Sequence, residues 1–343
     1  MAGDGARPRT LSPRQGVRRL GHAWRFRLLE LDPEDYRATG LTIQPITGFR
    51  TSVFDTAPED TLRSASPVDT RYQQIVSYAI RRYEFDNYLL CRAGAQVIDG
   101  TPLASLERRG DAWIANDEIE ARVVIGAGGH FCPVARELRG QRDEARAVVA
   151  KEAEFRIEED DSTVAGEMPE LFFCRDLEGY GWCVRKGAYL NIGIGRRDNG
   201  DLNAHVEEFK QFLERTQKAP RATFVRWKGH AYLARGTGPR PLVADGVLVA
   251  GDAAGLAYPE SGEGIKPAVE SGRLAAETLL AANGDFSAAR LRSYERELRR
   301  RYPPTTPTPR ALAGAVRAIG RALMRSPIFT RHVLIDRWFL RST

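Results

Sequence analysis

A short apolar run that ends in a glycine-rich loop constrains this chain more than any other feature. Residues 245–280 read DGVLVAGDAAGLAYPESGEGIKPAVESGRLAAETLL. The near-continuous apolar stretch 246–250 is typical of a buried parallel strand. The glycines and the proline that follow predict two tight turns before a helix. The pattern therefore predicts an α/β fold in which a loop at the carboxyl end of a strand meets a helix N-terminus.

The residues of this loop suit a ligand that carries hydroxyl and phosphate groups. Gly251 allows the backbone to approach a ligand closely, and the Asp252 carboxylate can accept hydrogen bonds from the hydroxyls of a sugar-like chain. Ala254 and Gly255 are small enough for a phosphate to reach backbone N–H groups. The helix, expected from about Glu263, would direct its positive N-terminus at the ligand.

These positions resemble the closing motif of FAD-dependent oxidoreductases of the aromatic-hydroxylase and geranylgeranyl-reductase type. In that family the aspartate holds the ribityl chain of the flavin, and the resemblance implies this role for Asp252. It also implies flavin contacts at the small and turn-forming residues of the same loop, which are Gly251, Ala254, Gly255, Pro259, Gly262, Gly264 and Ile265.

Two upstream segments are similar to other motifs of the family. IRRYEFDNYLL matches R-x-x-F-D-x-x-L and implies that Arg82 lies near the cofactor. The alternative is a surface arginine paired with Asp86 one helical turn away. IGAGGHFCPVAREL resembles G-A-D-G-x-x-S-x-v-R and implies a cofactor contact at Gly126. It departs from that pattern at Gly128, where aspartate is usual, and at Cys132, where serine is usual. We interpret Cys132 as a small packed residue.

The middle of the chain narrows the resemblance to the geranylgeranyl reductases. The segment 179–195, GYGWCVRKGAYLNIGIG, is similar to their G-Y-x-W-x-f-P-K…N-V-G-x-G, with Arg185 in place of the usual proline. In the family this sheet lies over the flavin, which implies that Phe173, Tyr180 and Trp182 line a substrate cavity. The alternative for Trp182 is an aromatic residue of a sheet core.

The order of elements predicts an α/β fold interrupted by an antiparallel insert. We expect a Rossmann-like FAD-binding domain of the glutathione-reductase type, discontinuous over 29–140 and 241–289. An antiparallel β-sheet substrate domain is expected over 141–240. Residues 1–28, rich in Arg, Gly and Pro, are interpreted as a disordered leader. Basic helices are expected over 290–343.

Two amphipathic helices stand out by their 3.6-residue period. In 202–216 the apolar residues fall on one face behind Asp201, the expected N-cap, and they are Leu202, Val206, Phe209 and Leu213. In 310–325 an apolar face is formed by Leu312, Val316, Ile319 and Leu323, and a second face carries Arg310, Arg317, Arg321 and Arg325. This second helix either packs on the body with solvated arginines or makes a peripheral contact with an anionic membrane.

The distribution of charge argues against a nucleic-acid partner. The net charge is +6, but residues 1–28 hold seven arginines and one aspartate, and 290–343 hold thirteen arginines and three acids. The body between them is therefore acidic, and no basic stripe with interleaved aromatics runs through it. The scattered cysteines and the lack of a secretory apolar core favour a cytoplasmic location.

Several signatures are absent from the printed sequence. It contains no G-x-G-x-x-G, the motif that holds the ADP half of FAD in this family, and 1–28 shows no strand–turn–helix–strand pattern. We therefore expect an N-terminally truncated or frame-shifted flavoprotein. There is also no H-E-x-x-H, G-x-S-x-G or P-loop, no metal motif, and no residue that can be assigned as a catalytic acid or base.

These features together predict an FAD-dependent oxidoreductase that acts on a small hydrophobic molecule. The reaction would be hydride transfer to an alkene or oxygen-dependent hydroxylation, with NAD(P)H as a candidate electron donor. One alternative is a non-catalytic remnant that binds FAD weakly or not at all. The other is a membrane-associated electron-transfer flavoprotein that uses its basic tail as an anchor.

Overall fold

The computed structural model describes residues 28–54, 67–139, 148–158, 161–197, 201–219, 225–232, 240–303 and 310–340. The expected leader 1–28 therefore lies outside the described residues except for its last position. The helices are α1 Pro33–Ala38, α2 Arg82–Ala93, α3 Pro133–Arg139, α4 Leu202–Arg215, α5 Ile265–Ala282, α6 Ala288–Arg301, α7 Arg310–Leu323 and α8 Pro327–Phe329. A π-helix follows at Thr330–Phe339, and 3₁₀ turns occur at Gly129–Phe131 and Gly251–Ala254.

The strands fall into four sheets. They are β1 Ile43–Ile46, β2 Gly48–Phe54, β3 Val68–Arg71, β4 Ser77–Ile80, β5 Leu106–Arg109, β6 Ala112–Ala115, β7 Ile119–Ala121, β8 Val124–Gly126, β9 Val148–Arg156, β10 Glu170–Cys174, β11 Gly179–Lys186, β12 Tyr189–Arg196, β13 Lys228–Tyr232, β14 Val243–Ala244 and β15 Val247–Val249. The mixed α/β class expected from the sequence is confirmed.

A three-stranded sheet carries the glycine-rich loop. Its order is β14-β15-β8, and β15 runs parallel to β8. The backbone N–H of Ala250 donates to the carbonyl of Gly126 at 2.9 Å, so both strands end at the same edge. Helices α5 and α6 cover β15, and the Tyr294 hydroxyl donates to the Val249 carbonyl at 2.8 Å. Strand β15 is buried, as the apolar run 246–250 predicts, whereas Ile125 of β8 is exposed.

The largest sheet of the described residues has seven strands, in the order β13-β9-β12-β11-β10-β2-β3. All its pairs are antiparallel except β2 with β10, which are parallel. Strands β2 and β3 come from the segment 29–140 that the sequence placed with the FAD-binding domain. The antiparallel sheet therefore extends beyond 141–240, because β2 pairs with β10 across more than a hundred residues of chain. Sequence periodicity carries no signal for such a pairing.

Helix α4 forms the apolar cover of one face of this sheet, as its sequence pattern predicts. Asp201 accepts hydrogen bonds from the backbone N–H groups of residues 203 and 204, which confirms the expected cap. Phe209 is fully buried, and its ring lies 5.5 Å from that of Phe54 and 5.7 Å from that of Phe172. A Cβ added at Gly181 would lie 2.4 Å from Phe209 Cζ, so only glycine at this strand position leaves room for the Phe209 ring.

We expect Phe209→Ala to lower the free energy of unfolding by about 3–5 kcal/mol, because it leaves a cavity between α4 and the sheet. Urea denaturation followed by circular dichroism measures this difference. Phe131→Ala is the matched control, since Phe131 is 73% exposed and its removal should change stability by less than about 0.5 kcal/mol. Equal effects of the two substitutions would contradict the packing described.

Candidate functional site

The glycine-rich loop begins with a backbone turn that only glycine adopts readily. Gly251 has a φ of +58°, and its N–H donates to the Ser271 hydroxyl at 2.9 Å. A Cβ on Gly251 would lie 3.2 Å from the Cβ of Ala268 on α5. The strand end and the helix are thus held together at van der Waals distance. Ser271 is fully buried, and the sequence pattern does not single it out because serine in a helix is ordinary.

Asp252 and Gly264 lie together across the loop. A Cβ on Gly264 would be 2.8 Å from Asp252 Oδ1, so the absence of a side chain at 264 leaves the space that this carboxylate occupies. Gly255, with a φ of +68°, donates its N–H to the Asp252 carbonyl at 3.0 Å. The carboxylate is half-buried and fixed by a turn on either side.

The second turn closes on itself through its backbone. The N–H of Gly262 donates to the Tyr258 carbonyl at 2.8 Å, and the N–H of Tyr258 donates to the Glu263 carbonyl at 3.1 Å. Pro259 lies within this closed loop. Helix α5 begins at Ile265, two residues later than expected, because the Glu263 carboxylate accepts from the N–H of Lys266 at 3.0 Å. Glu263 therefore acts as a cap before the helix and is not its first residue.

The turn after β8 contains Gly128 and Cys132, the two residues that depart from the family pattern, and they are in contact. Gly126 is buried, and a Cβ there would lie 2.9 Å from the Cβ of Val134 and 3.1 Å from Cys132 Sγ. A Cβ on Gly128 would lie 3.3 Å from the Cα of Cys132. The two unusual residues are therefore neighbours, and Cys132, 2% exposed, is packed as predicted. The Gly128 position leaves little room for the usual carboxylate beside Cys132.

Arg139, at the end of α3, joins this turn to the first one. One of its terminal guanidinium nitrogens donates to the carbonyl of Ala253, inside the 3₁₀ turn that contains Asp252. Ala254, at the end of that turn, is buried. The sequence gives no reason to choose Arg139 among the many arginines of this chain, because the contact crosses more than a hundred residues.

The three residues expected to line a substrate cavity come together beside the loop. The ring of Tyr180 lies 5.6 Å from Phe173 and 5.9 Å from Trp182. Phe339 of the π-helix joins them at 5.4 Å from Tyr180, a contact that the sequence does not predict. The Tyr180 hydroxyl donates to the carbonyl of Ser261 in the second turn. These four rings are defined here as the aromatic cluster, and it touches the glycine-rich loop directly.

Trp182 is held by both its polar and its apolar parts. Its Nε1 donates to the Asn191 side-chain oxygen at 2.8 Å, and a Cβ on Gly193 would lie 2.1 Å from its ring. The indole therefore lies flat over the backbone of the neighbouring strand. Trp182 is partly buried and belongs both to the sheet core and to the aromatic cluster, so the two interpretations offered by the sequence are compatible.

Arg82 is found in the alternative position that the sequence left open. It pairs with Asp86 at 2.9 Å, and both side chains are more than half exposed. Its proximity to a cofactor stays a prediction. The neighbouring Arg81 is instead nearly buried, donates to Glu154 at 2.8 Å and stacks 3.6 Å from the centre of the Tyr189 ring.

Glu154, on β9 of the seven-stranded sheet, is the centre of a nearly buried charge cluster. Lys186 approaches it at 2.9 Å, and Arg81 reaches it from the residue before α2. Burial alone would raise the pKa of Glu154, but the charges and hydrogen bonds of Lys186 and Arg81 outweigh it and lower the pKa from 4.5. The cluster therefore ties α2 to the sheet only while Glu154 is ionised.

Substitutions at Gly193 and Gly195 test the packing of the Trp182 indole against β12. Gly193→Ala should destabilise the fold by about 1–3 kcal/mol and alter tryptophan fluorescence, because the indole must leave its place. Gly195→Ala on the same strand adds a Cβ at an ordinary 3.4 Å from Ala150 and should be nearly neutral. Urea titration with fluorescence detection measures both. A neutral Gly193→Ala would mean that Trp182 lies elsewhere.

The charge cluster predicts an acid-dependent contribution to stability. Since the pKa of Glu154 is lowered on folding, its contribution is complete well above pH 4.5 and disappears as the pH falls below that value. Glu154→Gln should cost about 3 kcal/mol at pH 7, since it leaves the nearly buried Lys186 without its carboxylate, and much less at pH 3. Asp86→Asn, in the exposed pair, should cost under about 1 kcal/mol. A pH-independent cost of Glu154→Gln would refute this account.

Comparison with known proteins identifies relatives of this chain. No protein-family model matches the chain. A digeranylgeranylglycerophospholipid reductase of Methanocaldococcus jannaschii is 31% identical over 259 residues, which are 70% of this chain and 64% of that protein. The chain thus spans less than two thirds of the length of this relative.

Two solved structures share the fold. A geranylgeranyl bacteriochlorophyll reductase-like protein from Thermoplasma acidophilum superposes with a TM-score of 0.60 at 20% identity, over 82% of this chain and 72% of that one. A flavin-dependent brominase superposes with a TM-score of 0.60 at 17% identity, over 94% of this chain and 82% of that one. The fold, the loop and the sequence relatives agree, and the chain belongs to the superfamily of FAD-dependent oxidoreductases that includes the geranylgeranyl reductases.

Proposed function

We propose that this chain is part of an FAD-dependent reductase that acts on a hydrophobic small molecule. The observation that carries the proposal is the hydrogen bond from Tyr180 to the Ser261 carbonyl. It places an apolar, aromatic surface against the loop that resembles the flavin motif. The name of the archaeal relative specifies a lipid substrate for that protein, and we extend only its hydrophobic class to this one.

The described residues fit the ribityl and ring end of FAD. Gly251 and Gly255 have backbone angles that favour glycine, and a Cβ on Gly264 would fill the space beside the Asp252 carboxylate, so these three positions form a cradle without side chains. The Asp252 carboxylate would accept hydrogen bonds from the ribityl hydroxyls. The N-terminus of α5 would stabilise negative charge on the ring. The ADP end has no assigned residues, since the printed sequence holds no G-x-G-x-x-G.

When bound and reduced by NAD(P)H, the flavin would supply hydride to one carbon of a carbon–carbon double bond, and a proton would complete the reduction at the other carbon. The chain's own residues would bind and orient the substrate. Phe173, Tyr180 and Phe339 would form an apolar wall that excludes water from the reacting face. Asn191 would hold Trp182 in one rotamer, so that the wall keeps its shape. Arg139 would keep the Asp252 turn in place through the Ala253 carbonyl. NAD(P)H remains the proposed electron donor.

Flavin titration of the purified protein tests the proposal. We expect added FAD to bind with quenching of flavin fluorescence, and Asp252→Asn to weaken binding about tenfold or more through loss of charge-assisted hydrogen bonds. Asp117→Asn, an exposed aspartate of the β6–β7 turn, is the matched control and should leave binding unchanged. Thermal unfolding of both variants checks that they fold.

Three outcomes would contradict the proposal. A protein that is colourless and does not quench added FAD would favour the non-catalytic remnant. Wild-type binding by Asp252→Asn would place the flavin away from this loop. A bound flavin that is reoxidised without reduction of any alkene would favour the electron-transfer alternative.

A further inference from the structure

Helix α7 exposes the described part of its predicted apolar stripe, the row formed by Leu312, Val316, Ile319 and Leu323. Of this stripe, the described side chains are those of Ile319 and Leu323, which are 60% and 39% exposed. An amphipathic helix ordinarily buries this stripe against its own core. Helix α7 therefore does not bury Ile319 and Leu323 against the body.

The helix contacts the body along a different flank. A Cβ on Gly320 would lie 2.8 Å from Leu177 Cδ1, and Met324 is 7% exposed within the core that contains Phe173. Arg321 donates to the Arg175 carbonyl at 3.5 Å. These contacts fix the rotation of α7 about its axis, so the outward direction of the stripe is a consequence of packing.

The exposed apolar surface continues into α8. Ile328 is 75% exposed and follows the stripe after one short turn. These three large residues, Ile319, Leu323 and Ile328, are defined here as the apolar ridge. The same C-terminal segment carries four exposed arginines, which are Arg321, Arg325, Arg331 and Arg337.

The charge of the segment that carries the ridge is almost entirely positive. Asp336 is the one acidic residue of 310–343, and it accepts a hydrogen bond from the Tyr72 hydroxyl at 2.5 Å. Large exposed aliphatic side chains can enter the acyl region of a bilayer, and arginines of the same segment can bind anionic lipid headgroups. This combination is typical of a protein surface that binds an anionic membrane. Among the described residues, no helix has both the length and the hydropathy that a membrane span requires.

We propose that the apolar ridge and its arginines dock this protein on an anionic lipid bilayer. The same C-terminal segment carries Phe339 into the aromatic cluster, so the docked face and the cluster share one segment of the chain. A hydrophobic substrate could then pass from the bilayer to the cavity with little exposure to water, a consequence that rests on the proposed function. The docking itself does not depend on bound flavin.

Vesicle co-sedimentation of the full chain tests the proposal. The protein should sediment with vesicles of phosphatidylcholine and phosphatidylglycerol, and much less with phosphatidylcholine alone or at high salt. Ile319→Ser/Leu323→Ser should lower vesicle affinity at least about tenfold. Leu280→Ser, which removes an 82% exposed leucine from α5, is the matched control and should bind as wild type does.

A second pair of variants tests the charge. Arg325→Gln/Arg337→Gln should weaken binding to anionic vesicles about fivefold per arginine, whereas Arg273→Gln, paired with Glu277 on α5, should not. Circular dichroism and light scattering accompany each variant.

Failure of the wild type to sediment with anionic vesicles would overturn the proposal, and so would wild-type sedimentation by Ile319→Ser/Leu323→Ser. A dimer that this double substitution dissociates, without vesicle binding, would identify the ridge as an interface between two copies. Because the assay needs no FAD, a protein that binds vesicles but not flavin would disprove the proposed function and leave the docking surface intact.

Discussion

The left-handed turn at Gly251 is the constraint on which the candidate site depends. It ends β15, directs the chain into the Asp252 loop and brings Ala268 within contact of the strand end. The hydrogen bond from its N–H to the buried Ser271 hydroxyl satisfies a backbone donor that would otherwise be lost in the core. Because this one turn sets the distance between strand and helix, the direction of the α5 N-terminus follows from it.

The aromatic cluster shows how two sheets of different origin make one site. Tyr180 lies on β11 of the seven-stranded sheet, while the Ser261 carbonyl that it contacts belongs to the loop after β15. Phe339 comes from the far C-terminal end of the chain. Glu154, with Arg81 and Lys186, holds the opposite end of the same sheet to α2. The site is therefore assembled by long-range contacts, and a substitution at either end can loosen it.

The C-terminal helices have two roles that share one packing arrangement. Gly320 and Met324 fix α7 on the body, and this leaves Ile319 and Leu323 exposed. The π-helix after α8 then turns back and buries Leu334 and Ile335 in the core beside the aromatic cluster. π-Helical segments are rare and occur often at functional positions, which agrees with the placement of Phe339.

The local sequence pattern was sufficient to predict those elements that depend only on residues close together in the chain. The helical period of 202–216 and the capping residue Asp201 predicted α4, and the glycine and apolar sequence of 246–264 predicted β15, its turns and a helix after them. These features follow from backbone sterics and the periodic burial of side chains. The packed nature of Cys132 followed from its chemistry in the same way.

Only the tertiary structure decided which distant residues meet. The pairing of β2 with β10, the contact of Arg139 with Ala253 and the arrival of Phe339 at Tyr180 leave no periodic trace in the sequence. The same holds for exposure, because the apolar runs of β8 and α7 look alike whether or not another element covers them. The sequence by itself determined the family motif and the local geometry that a flavin needs. The three-dimensional packing determined what surrounds that motif, since burial and contact are properties of the whole chain.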